Sequence, residues 1–276
     1  MDTTLSSAAA LKIRELILGY CISQALASAA RLGIADLLRD GPRGASELAR
    51  LTKTDEPSLE RLLRALAAQG IFAEQEDGTF VLTPAAEFLR ADHPESLRDW
   101  SVAMAGELYR GWAEFDHSIR FGEPAFPRVF GCQVFEYFSK HPEVAADFDR
   151  AMVSYGAGLS ASLAESYDFA GVAKIVDVGG GYGRILAGVL KSYPSIRGVV
   201  FDLPHVEAGA RATFARNGLS GRCEFIAGSF FDTVPQGGDL YFLSQVIHDW
   251  NDEKSLQILS NCRRALAGCG KRVFDS

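Results

Sequence analysis

A histidine at position 248 stands between an apolar segment and a cluster of acids, in the stretch SQVIHDWNDE. Imidazole is the side chain whose charge changes most readily near neutral pH, so a histidine in a binding site can take a proton from a substrate hydroxyl. A single histidine at the end of a strand is nevertheless more often a structural residue. The role of His248 therefore depends on what the other segments of the sequence bring to the same place.

A glycine-rich turn follows a short apolar segment in KIVDVGGGYGRILAGVL. The β-branched residues predict a buried strand, and the residues after the turn predict a helix. Gly179, Gly181 and Gly183 allow the backbone to pass close to a ligand, and the start of the helix offers free N–H groups. The spacing GxGxG is not the dinucleotide fingerprint GxGxxG. The segment therefore indicates a nucleotide-binding turn of another kind.

Three more segments read as strands that end in polar or aromatic residues. RGVVFDLPHV ends in Asp202, whose carboxylate can accept both hydroxyls of a ribose. In CEFIAGSFFDTVP, Phe230 can cover an adenine face, and Ser229 can meet the amino edge of the base. DLYFLSQVIHDW leads into Ser244 and then His248. Open α/β sheets bind ligands at the carboxyl ends of their strands, so these residues are predicted to share one edge.

The first part of the sequence has a different pattern. Residues 1 to about 165 show helical periodicity almost throughout, whereas strands and helices alternate from Ala173 onward. Within the first part, ASELARL, DEPSLERLLRALAAQG and IFAEQEDGTFVLT predict helix, helix and hairpin, with Pro57 in a first helical turn, Gly70 as a C-cap and Asp77-Gly78 as the hairpin turn. This is a winged-helix pattern followed by a doubly wound α/β domain.

Charge and composition limit the possible partners. The chain has 276 residues, of which 47% are hydrophobic and 23% charged, with a net charge of -7. No apolar run of about 18 residues and no signal-type leader is seen, so we expect a cytoplasmic protein that does not enter membranes. Residues 1–100 hold 11 Lys and Arg against 15 Asp and Glu. We therefore expect the winged helix to form a homodimer and not to bind nucleic acid.

Two further features of the sequence bear on possible sites: the cysteines and the aromatic residues. The five cysteines are scattered without CxxC or a histidine at ligand spacing, and nothing like a ligand cluster surrounds His248, so we predict no metal site. The densest aromatic stretch lies between residues 100 and 155. Packing in a core is its commoner use, and a wall for a planar aromatic substrate is the alternative.

The motifs VDVGGGYG, FDLPHV and IHDWNDE, in this order, resemble those of the S-adenosylmethionine-dependent O-methyltransferases of the dimeric plant-caffeate and bacterial-antibiotic type. FGEPAF, FEYF and FDRAM extend the resemblance over essentially the whole chain. It implies a helical and winged-helix dimerisation domain over 1–100, a helical linker with acceptor-pocket helices over 101–165, and a Rossmann-like, class I methyltransferase domain over 166–276. It also implies S-adenosyl-L-methionine as cofactor.

The resemblance assigns roles to particular residues. Gly179, with Gly181 in the same turn, falls where the family holds the methionine part of the cofactor, and Asp202 falls where it holds the ribose. The adenine contacts fall on Ser229 and Phe230, although many relatives have aspartate at the position of Ser229. A further cofactor contact falls on Ser244.

The same resemblance implies how the reaction proceeds. The general base falls on His248, which would take the proton of an aromatic hydroxyl as the methyl group is transferred. Asp249 either supports this histidine or caps the helix that begins near Asn251. Phe148 and Met152 fall where the family lines its acceptor pocket, for phenolic or polyketide-like acceptors.

The last residues depart from the family pattern. Relatives continue for several tens of residues after ALAGCGK, with further strands and with an acid that orients the histidine, whereas this sequence reads GKRVFDS. Ser276 falls roughly where that acid belongs, and Asp275 lies one position early, which places a side chain on the opposite face of a strand. We expect a chain truncated at its C-terminus. The alternative to an active enzyme is a catalytically inactive, dimeric, cofactor-binding remnant without the C-terminal strands.

Overall fold

The computed structural model describes residues 3–155, 163, 167–266 and 272–275, with 3–7, 154–155 and 272–275 described by their backbone alone. Ser276 therefore lies outside the described residues, as does the side chain of Asp275. The chain divides into two compact units, Met1–Ser154 and Tyr155–Ser276.

A long helix opens the first unit. Helix α1 spans Thr3–Arg31 and is followed by the short helix α2, Ile34–Leu37. The second half of α1 buries small residues such as Ala27 and Ala29 in the core of this unit, whereas its first half exposes large apolar side chains: Leu11, Ile13, Leu16, Ile17, Leu18 and Tyr20. No other described residue of the chain covers this exposed apolar half of α1.

The winged helix follows α1 and α2 and confirms the predicted order of helix, helix and hairpin. Its elements are α3 (Ala45–Thr52), α4 (Glu56–Ala67), and a three-stranded antiparallel sheet of order β1-β3-β2 formed by β1 (Arg43–Gly44), β2 (Phe72–Glu74) and β3 (Thr79–Leu82). Asp55 caps α4 by accepting the N–H of Ser58, and Pro57 lies in the first turn. Gly78 takes the left-handed conformation in the hairpin turn. Gly70 was wrongly expected to be the C-cap: α4 ends at Ala67, Ala68 is the C-cap, and Gly70, two residues further on, turns the chain toward β2.

Short helices complete the first unit. They are α5 (Pro84–Glu87), α6 (Arg98–Met104), α7 (Glu107–Trp112), α8 (Phe115–Phe121), α9 (Phe126–Phe130), α10 (Val134–Lys140) and α11 (Pro142–Tyr155). Part of the aromatic stretch is core, since Phe138 is buried with its ring centroid 4.8 Å from that of Phe148. Another part is surface, since Trp112 and Phe121 are about two-thirds exposed, at 66% and 65%.

The second unit is built on a five-stranded parallel sheet of order β6-β5-β4-β7-β8. Its elements are β4 (Lys174–Val178), α12 (Arg184–Ser192), β5 (Arg197–Asp202), α13 (Glu207–Arg216), β6 (Cys223–Ala227), β7 (Leu240–Leu243), α14 (Asp252–Leu266) and β8 (Arg272–Asp275). Successive residues of each strand point to opposite faces: Ile175 and Val200 pack into one core and Val176 and Val199 into another. Both faces are covered, which explains why the central strands read as continuous apolar runs. The predicted Rossmann-like architecture is confirmed.

Candidate active site

The turn after β4 is fixed by its own backbone and by its neighbours. Gly179, Gly181 and Gly183 have φ values of 73°, 54° and 68°, the left-handed region that glycine adopts without strain. A Cβ atom at Gly179 would lie 2.8 Å from Cγ2 of Val246, and one at Gly183 would lie 2.7 Å from Cγ2 of Val200. A Cβ at Gly181 would meet no atom within 4 Å. Packing therefore closes two sides of the turn and leaves the side of Gly181 open to a ligand.

Asp202 joins the end of β5 to this turn. Its carboxylate accepts the N–H of Gly181 at 2.7 Å and the N–H of Leu203 at 2.6 Å. Burial raises the pKa of Asp202, and these two backbone hydrogen bonds act in the opposite direction by stabilising the charged form. The two backbone N–H groups thus fix the Asp202 carboxylate beside the glycine turn, and its remaining lone pairs can accept hydrogen bonds from a ligand.

A second acid, Asp177, lies beside Asp202, and the sequence patterns assigned it no role. It is 2% exposed in the middle of β4, and a Cβ atom at Gly180 would lie 2.5 Å from Cγ of its carboxyl group. Burial, with a smaller contribution from the charge of Asp202, raises the pKa of Asp177 to about 8. The signal that could have revealed it is an acid inside the otherwise apolar strand KIVDV.

The residues after β6 lie beside the same turn. Gly228, just past β6, donates its N–H to the carbonyl of Asp202 at 2.9 Å. Ser229 Oγ accepts the N–H of Phe231 at 3.2 Å. The ring of Phe230 borders the turn, because its Cε1 atom would lie 3.5 Å from a Cβ at Gly179. The structure therefore brings Phe230 and Asp202 to one glycine turn.

The segment after β7 also reaches this turn. Ser244 follows the strand and is half-buried, and Gln245 has a left-handed φ of 57°, which is uncommon for a residue with a side chain. This change of direction leads to Val246, which is 5% exposed and is the residue that occupies the space beside Gly179. Val246 thus anchors the short segment that carries His248.

His248 lies in the 3-10 turn Ile247–Asp249, and its side chain is 59% exposed. Its Nε2 atom is 3.3 Å from Oδ1 of Asp249. Burial raises the pKa of Asp249, and the nearby charge of His248 lowers it by a smaller amount. Asn251, and not Asp249, caps α14, because its Oδ1 accepts the N–H of Lys254 at 3.0 Å. Of the two roles left open for Asp249, the contact with His248 is the one that the geometry supports.

Phe148 and Met152 lie one turn apart on α11, in the first unit. The ring of Phe148 packs against Phe138 and also contributes to a cavity of about 210 Å³. Met152 is half-buried. Across the described parts of the chain, no group of three or more His, Cys, Asp and Glu residues is arranged to hold a metal ion, and no helix is long and apolar enough to span a bilayer.

Comparison with known families identifies two family domains along the chain. Residues 112–274 match the O-methyltransferase domain, and residues 14–92 match the O-methyltransferase dimerisation domain. The chain belongs to the O-methyltransferase family. This confirms the family predicted from the ordered motifs and the fold expected with it, a helical dimerisation domain followed by a Rossmann-like domain.

Individual relatives agree with this assignment. The chain is 42% identical to the phenazine O-methyltransferase PhzM of Lysobacter antibioticus, with 94% of this chain and 76% of the relative aligned. It is 39% identical to the 3-amino-4-hydroxybenzoate 4-O-methyltransferase of Streptomyces cremeus, over 95% of this chain and 72% of the relative. Among solved structures it resembles NcsB1 from neocarzinostatin biosynthesis, in complex with S-adenosylmethionine and 2-hydroxy-5-methyl naphthoic acid. That match has a TM-score of 0.79 and 38% identity, and covers 92% of this chain and 78% of NcsB1.

Proposed function

We propose that this protein transfers a methyl group from S-adenosyl-L-methionine to a hydroxyl of a small aromatic acceptor, with His248 as the general base. The observation that carries the proposal is the contact of three strand ends at one glycine turn. Asp202 bonds to Gly181, and Val246 packs beside Gly179 two residues before His248. The residues suited to a nucleoside and the residue suited to proton transfer therefore belong to the same edge of the sheet.

The residues at this edge fit the cofactor. An ionised carboxylate offers about four lone-pair sites, and Asp202 uses two of them on backbone N–H groups, so it retains acceptors for two ribose hydroxyls. Hydroxyl donors would stabilise its charged form against burial. The open side of Gly181 leaves room for the cofactor beside the turn. We assign Gly179 and Gly181 to the methionine part of the ligand.

The remaining cofactor contacts follow from side-chain chemistry. The ring of Phe230 offers an apolar face for adenine next to the turn. The oxygen of Ser229 accepts the N–H of Phe231, and its O–H hydrogen can rotate toward the edge of the base. Ser244, at the end of β7, is proposed as a further contact.

His248 performs the proton transfer in this proposal. When bound, S-adenosylmethionine would supply a methyl group on a sulfonium sulfur, and that sulfur would leave as the neutral thioether of S-adenosylhomocysteine. The neutral imidazole of His248 accepts the acceptor's hydroxyl proton, which contributes roughly 10² to 10⁴ in rate, and orientation of the acceptor contributes more. Asp249, 3.3 Å from Nε2, orients the ring and stabilises the imidazolium that forms.

The first unit supplies assembly and acceptor recognition. We propose that residues 1–100 form the homodimer through the exposed apolar half of α1, that 101–165 carry acceptor-pocket helices with Phe148 and Met152, and that 166–276 bind the cofactor. The acceptor class is a small hydroxylated aromatic. Relatives named for phenazine and 3-amino-4-hydroxybenzoate substrates support this class.

Two variants test the proposal on the full chain. Asp202→Ala is expected to weaken S-adenosylmethionine binding at least about 100-fold in calorimetric titration, because it removes charged hydrogen bonds to two hydroxyls. His248→Ala should bind the cofactor like the parent and methylate about 10² to 10⁴ times more slowly. Methylation is followed by mass spectrometry with a panel of hydroxylated aromatics that includes 3-amino-4-hydroxybenzoate.

His93→Ala, which removes a histidine outside the proposed acceptor-pocket helices and outside the cofactor domain, is the matched control and should leave both measurements unchanged. Methylation by His248→Ala at the parental rate would overturn the role of the base. A parent chain that binds the cofactor but methylates no member of the panel would instead support the alternative of a dimeric, cofactor-binding protein without catalysis.

A further inference from the structure

The loop that carries Phe230 is built on a short turn after β6. The carbonyl of Ser229 accepts the N–H groups of Asp232 and Thr233 at 3.0 and 3.2 Å. The carbonyls of the two central residues, Phe230 and Phe231, take no part in these hydrogen bonds of the turn. Backbone carbonyls that are removed from water need a partner, so the orientation of these two peptide groups depends on another element of the domain.

Asn261, in the middle of α14, bonds to both carbonyls. Its Nδ2 atom donates to the carbonyl of Phe230 at 2.7 Å and to that of Phe231 at 3.0 Å. Its Oδ1 atom accepts a hydrogen bond from the guanidinium of Arg264 on the same helix, which directs the two N–H donors of the amide toward the loop. The side chain is only 3% exposed. Burying an amide is costly unless it is hydrogen-bonded, and this amide spends both of its donors on one loop.

Two kinds of contact add to the attachment of this loop at Phe231. Gln257, about one turn before Asn261, donates through Nε2 to the carbonyl of Phe231 at 2.9 Å. The ring centroid of Phe231 lies 4.6 Å from that of Trp250, and the Nζ atom of Lys254 lies 5.2 Å from the Phe231 centroid. Helix α14 and the residue before it therefore hold the loop by its backbone and by the ring of Phe231.

Phe230 is the residue of this loop whose ring borders the glycine turn. Its Cε1 atom would lie 3.5 Å from a Cβ at Gly179, and the residue is half-buried. A side chain leaves the backbone in one of a few staggered directions, so the orientation of the adjoining peptide groups decides where the ring lies. Stacking on another ring is favourable only over a narrow range of distance and offset. Fixing the carbonyls of Phe230 and Phe231 therefore fixes the face that is offered to a base.

We propose that Asn261 is a positioning residue for the cofactor, because its amide holds the Phe230 ring in the place where this ring covers adenine. Asn261 acts through Phe230 and on the base alone. The contacts of Asp202 and Gly181 with the ribose and methionine parts do not depend on it. The inference rests on the proposed function, since it requires S-adenosylmethionine in this site.

A double-mutant cycle on the full chain tests this role by calorimetric titration with S-adenosylhomocysteine, the product form of the cofactor. Phe230→Ala should weaken binding about tenfold to hundredfold, because stacking on the base is lost. Asn261→Leu keeps a branched side chain without donors, and it should weaken binding about fivefold to twentyfold. In the Phe230→Ala background, Asn261→Leu should cost less than about a further twofold, because no ring is left to position.

Kinetics provide a second measurement of the same role. With any acceptor that the parent methylates, Asn261→Leu should raise the KM for S-adenosylmethionine by about the factor seen in calorimetry. The value of kcat should change less than about twofold, because the sulfonium and the base are held by other residues. A residue that only stabilises the fold would not produce this division between KM and kcat.

Two further variants separate positioning from stability. Asn217→Leu is the matched control: Nδ2 of Asn217 donates to the carbonyl of Thr213 at 2.7 Å within its own helix. Asn217 is the C-cap of α13, which follows β5, so it lies at the amino ends of the parallel strands and should leave the affinity unchanged. Gln257→Leu, at an exposed position, leaves the core intact should Asn261→Leu fail to fold, and it should weaken binding about twofold to threefold only while Phe230 is present.

The possible failures are distinguishable. The inference is wrong if Asn261→Leu binds S-adenosylhomocysteine like the parent, or if its loss multiplies with that of Phe230→Ala in the double variant. Absence of binding by the parent itself would overturn the proposed function, and with it the role of Asn261. Binding by the parent that is lost in Asp202→Ala but unchanged in both Asn261→Leu and Gln257→Leu would retain the proposed function and overturn this inference alone.

Discussion

The glycine turn with Asp202 and the segment with His248 lie at one edge of the sheet but are built differently. In the turn, two glycines are held by packing and the third by a hydrogen bond to a buried carboxylate. His248 lies on a 3-10 turn with its side chain more exposed than buried, and its contact is a neighbouring acid. The first region is fixed by the fold, and the second is attached to it through Val246.

In the proposed function, this difference separates cofactor binding from proton transfer. A cofactor that is held by backbone and buried acids meets a site that is already formed, so little ordering is needed when it binds. A base on an exposed turn can be altered without disturbing the core. We therefore expect changes in the turn to alter stability and cofactor affinity together, and changes near His248 to alter mainly the rate.

The largest expected effect is that of Gly179→Ala. The new Cβ would overlap Val246 at 2.8 Å, and the φ of 73° disfavours any side chain. Left-handed strain of about 1–2 kcal/mol and overpacking of about 1–3 kcal/mol should together lower the free energy of unfolding by about 2–5 kcal/mol. Urea unfolding measures this loss, and calorimetry should show a parallel loss of S-adenosylmethionine affinity.

Gly181→Ala separates strain from packing within the same turn. Its φ is also positive, at 54°, but its Cβ would meet no atom within 4 Å. Only the strain of about 1–2 kcal/mol should remain in the unliganded protein. Equal destabilisation by the two substitutions would contradict the view that Val246 closes one side of the turn.

The next effect concerns the buried acid Asp177. Because burial raises its pKa to about 8, the folded state holds its proton over a range in which the unfolded chain, with a pKa near 3.9, has lost it. The stability linked to this proton is complete below the unfolded pKa and decreases as the pH rises toward the folded pKa. The substitution Asp177→Asn removes this dependence of stability on pH. Relative to the parent, its free energy of unfolding should therefore increase between pH 5.5 and pH 8, on the order of 2 kcal/mol.

Urea unfolding of both proteins without cofactor at these two pH values measures the effect. Asp232→Asn, which removes an exposed acid of the same unit, is the matched control for the loss of one carboxylate. A constant difference for Asp177→Asn would show that Asp177 is ionised in the folded protein throughout this range.

A smaller effect is expected from Asp249→Asn, on the His248 side of the comparison. The substitution keeps the size of the side chain but removes the negative charge that lies 3.3 Å from Nε2. Exposed charge pairs contribute little, about 1 kcal/mol or less. We expect kcat to fall by less than about tenfold, with an unchanged dissociation constant for the cofactor. A loss of cofactor binding would show that Asp249 supports the turn and not the base.

Sequence patterns predicted the parts of this site that depend on local structure. Alternation of strands and helices placed Asp202 and His248 at strand ends, and glycine spacing indicated the turn. The proximity of Asp177 to Asp202 was not predictable in the same way, because it depends on the register that pairs Val178 with Phe201. The cavity that Phe148 lines was missed because its walls come from residues as far apart in the sequence as Arg31 and Phe148.

The role of Asp249, support of His248 or capping of the next helix, was left open by the sequence for a related reason. The residue that caps a helix is set by the position at which the helix begins. The sequence does not fix that position to within one or two residues, so it could not decide whether Asp249 is the cap. The structure begins α14 at Asp252, so the capping geometry belongs to Asn251. Asp249 contacts His248 and does not cap the helix, so substitutions of Asp249 and of Asn251 test the contact with His248 and the helix cap separately.

Asn251→Ala should have the smallest effect, because it removes only this cap. Loss of the hydrogen bond to the Lys254 N–H should lower the free energy of unfolding by about 1 kcal/mol, and Asn251→Asp, which keeps a capping oxygen, should restore most of it. The 3-10 turn keeps its own backbone bonds from Asp249 to Val246 and from Trp250 to Ile247. The methylation rate should therefore stay within about twofold of the parent, because the turn that carries His248 also keeps its packing through Val246 and the hydrogen bonds that the Ser255 hydroxyl of α14 donates to the carbonyls of Ile247 and Trp250. A fall in rate without a fall in stability would place Asn251 in the reaction and shift the boundary between the two regions to include the start of α14.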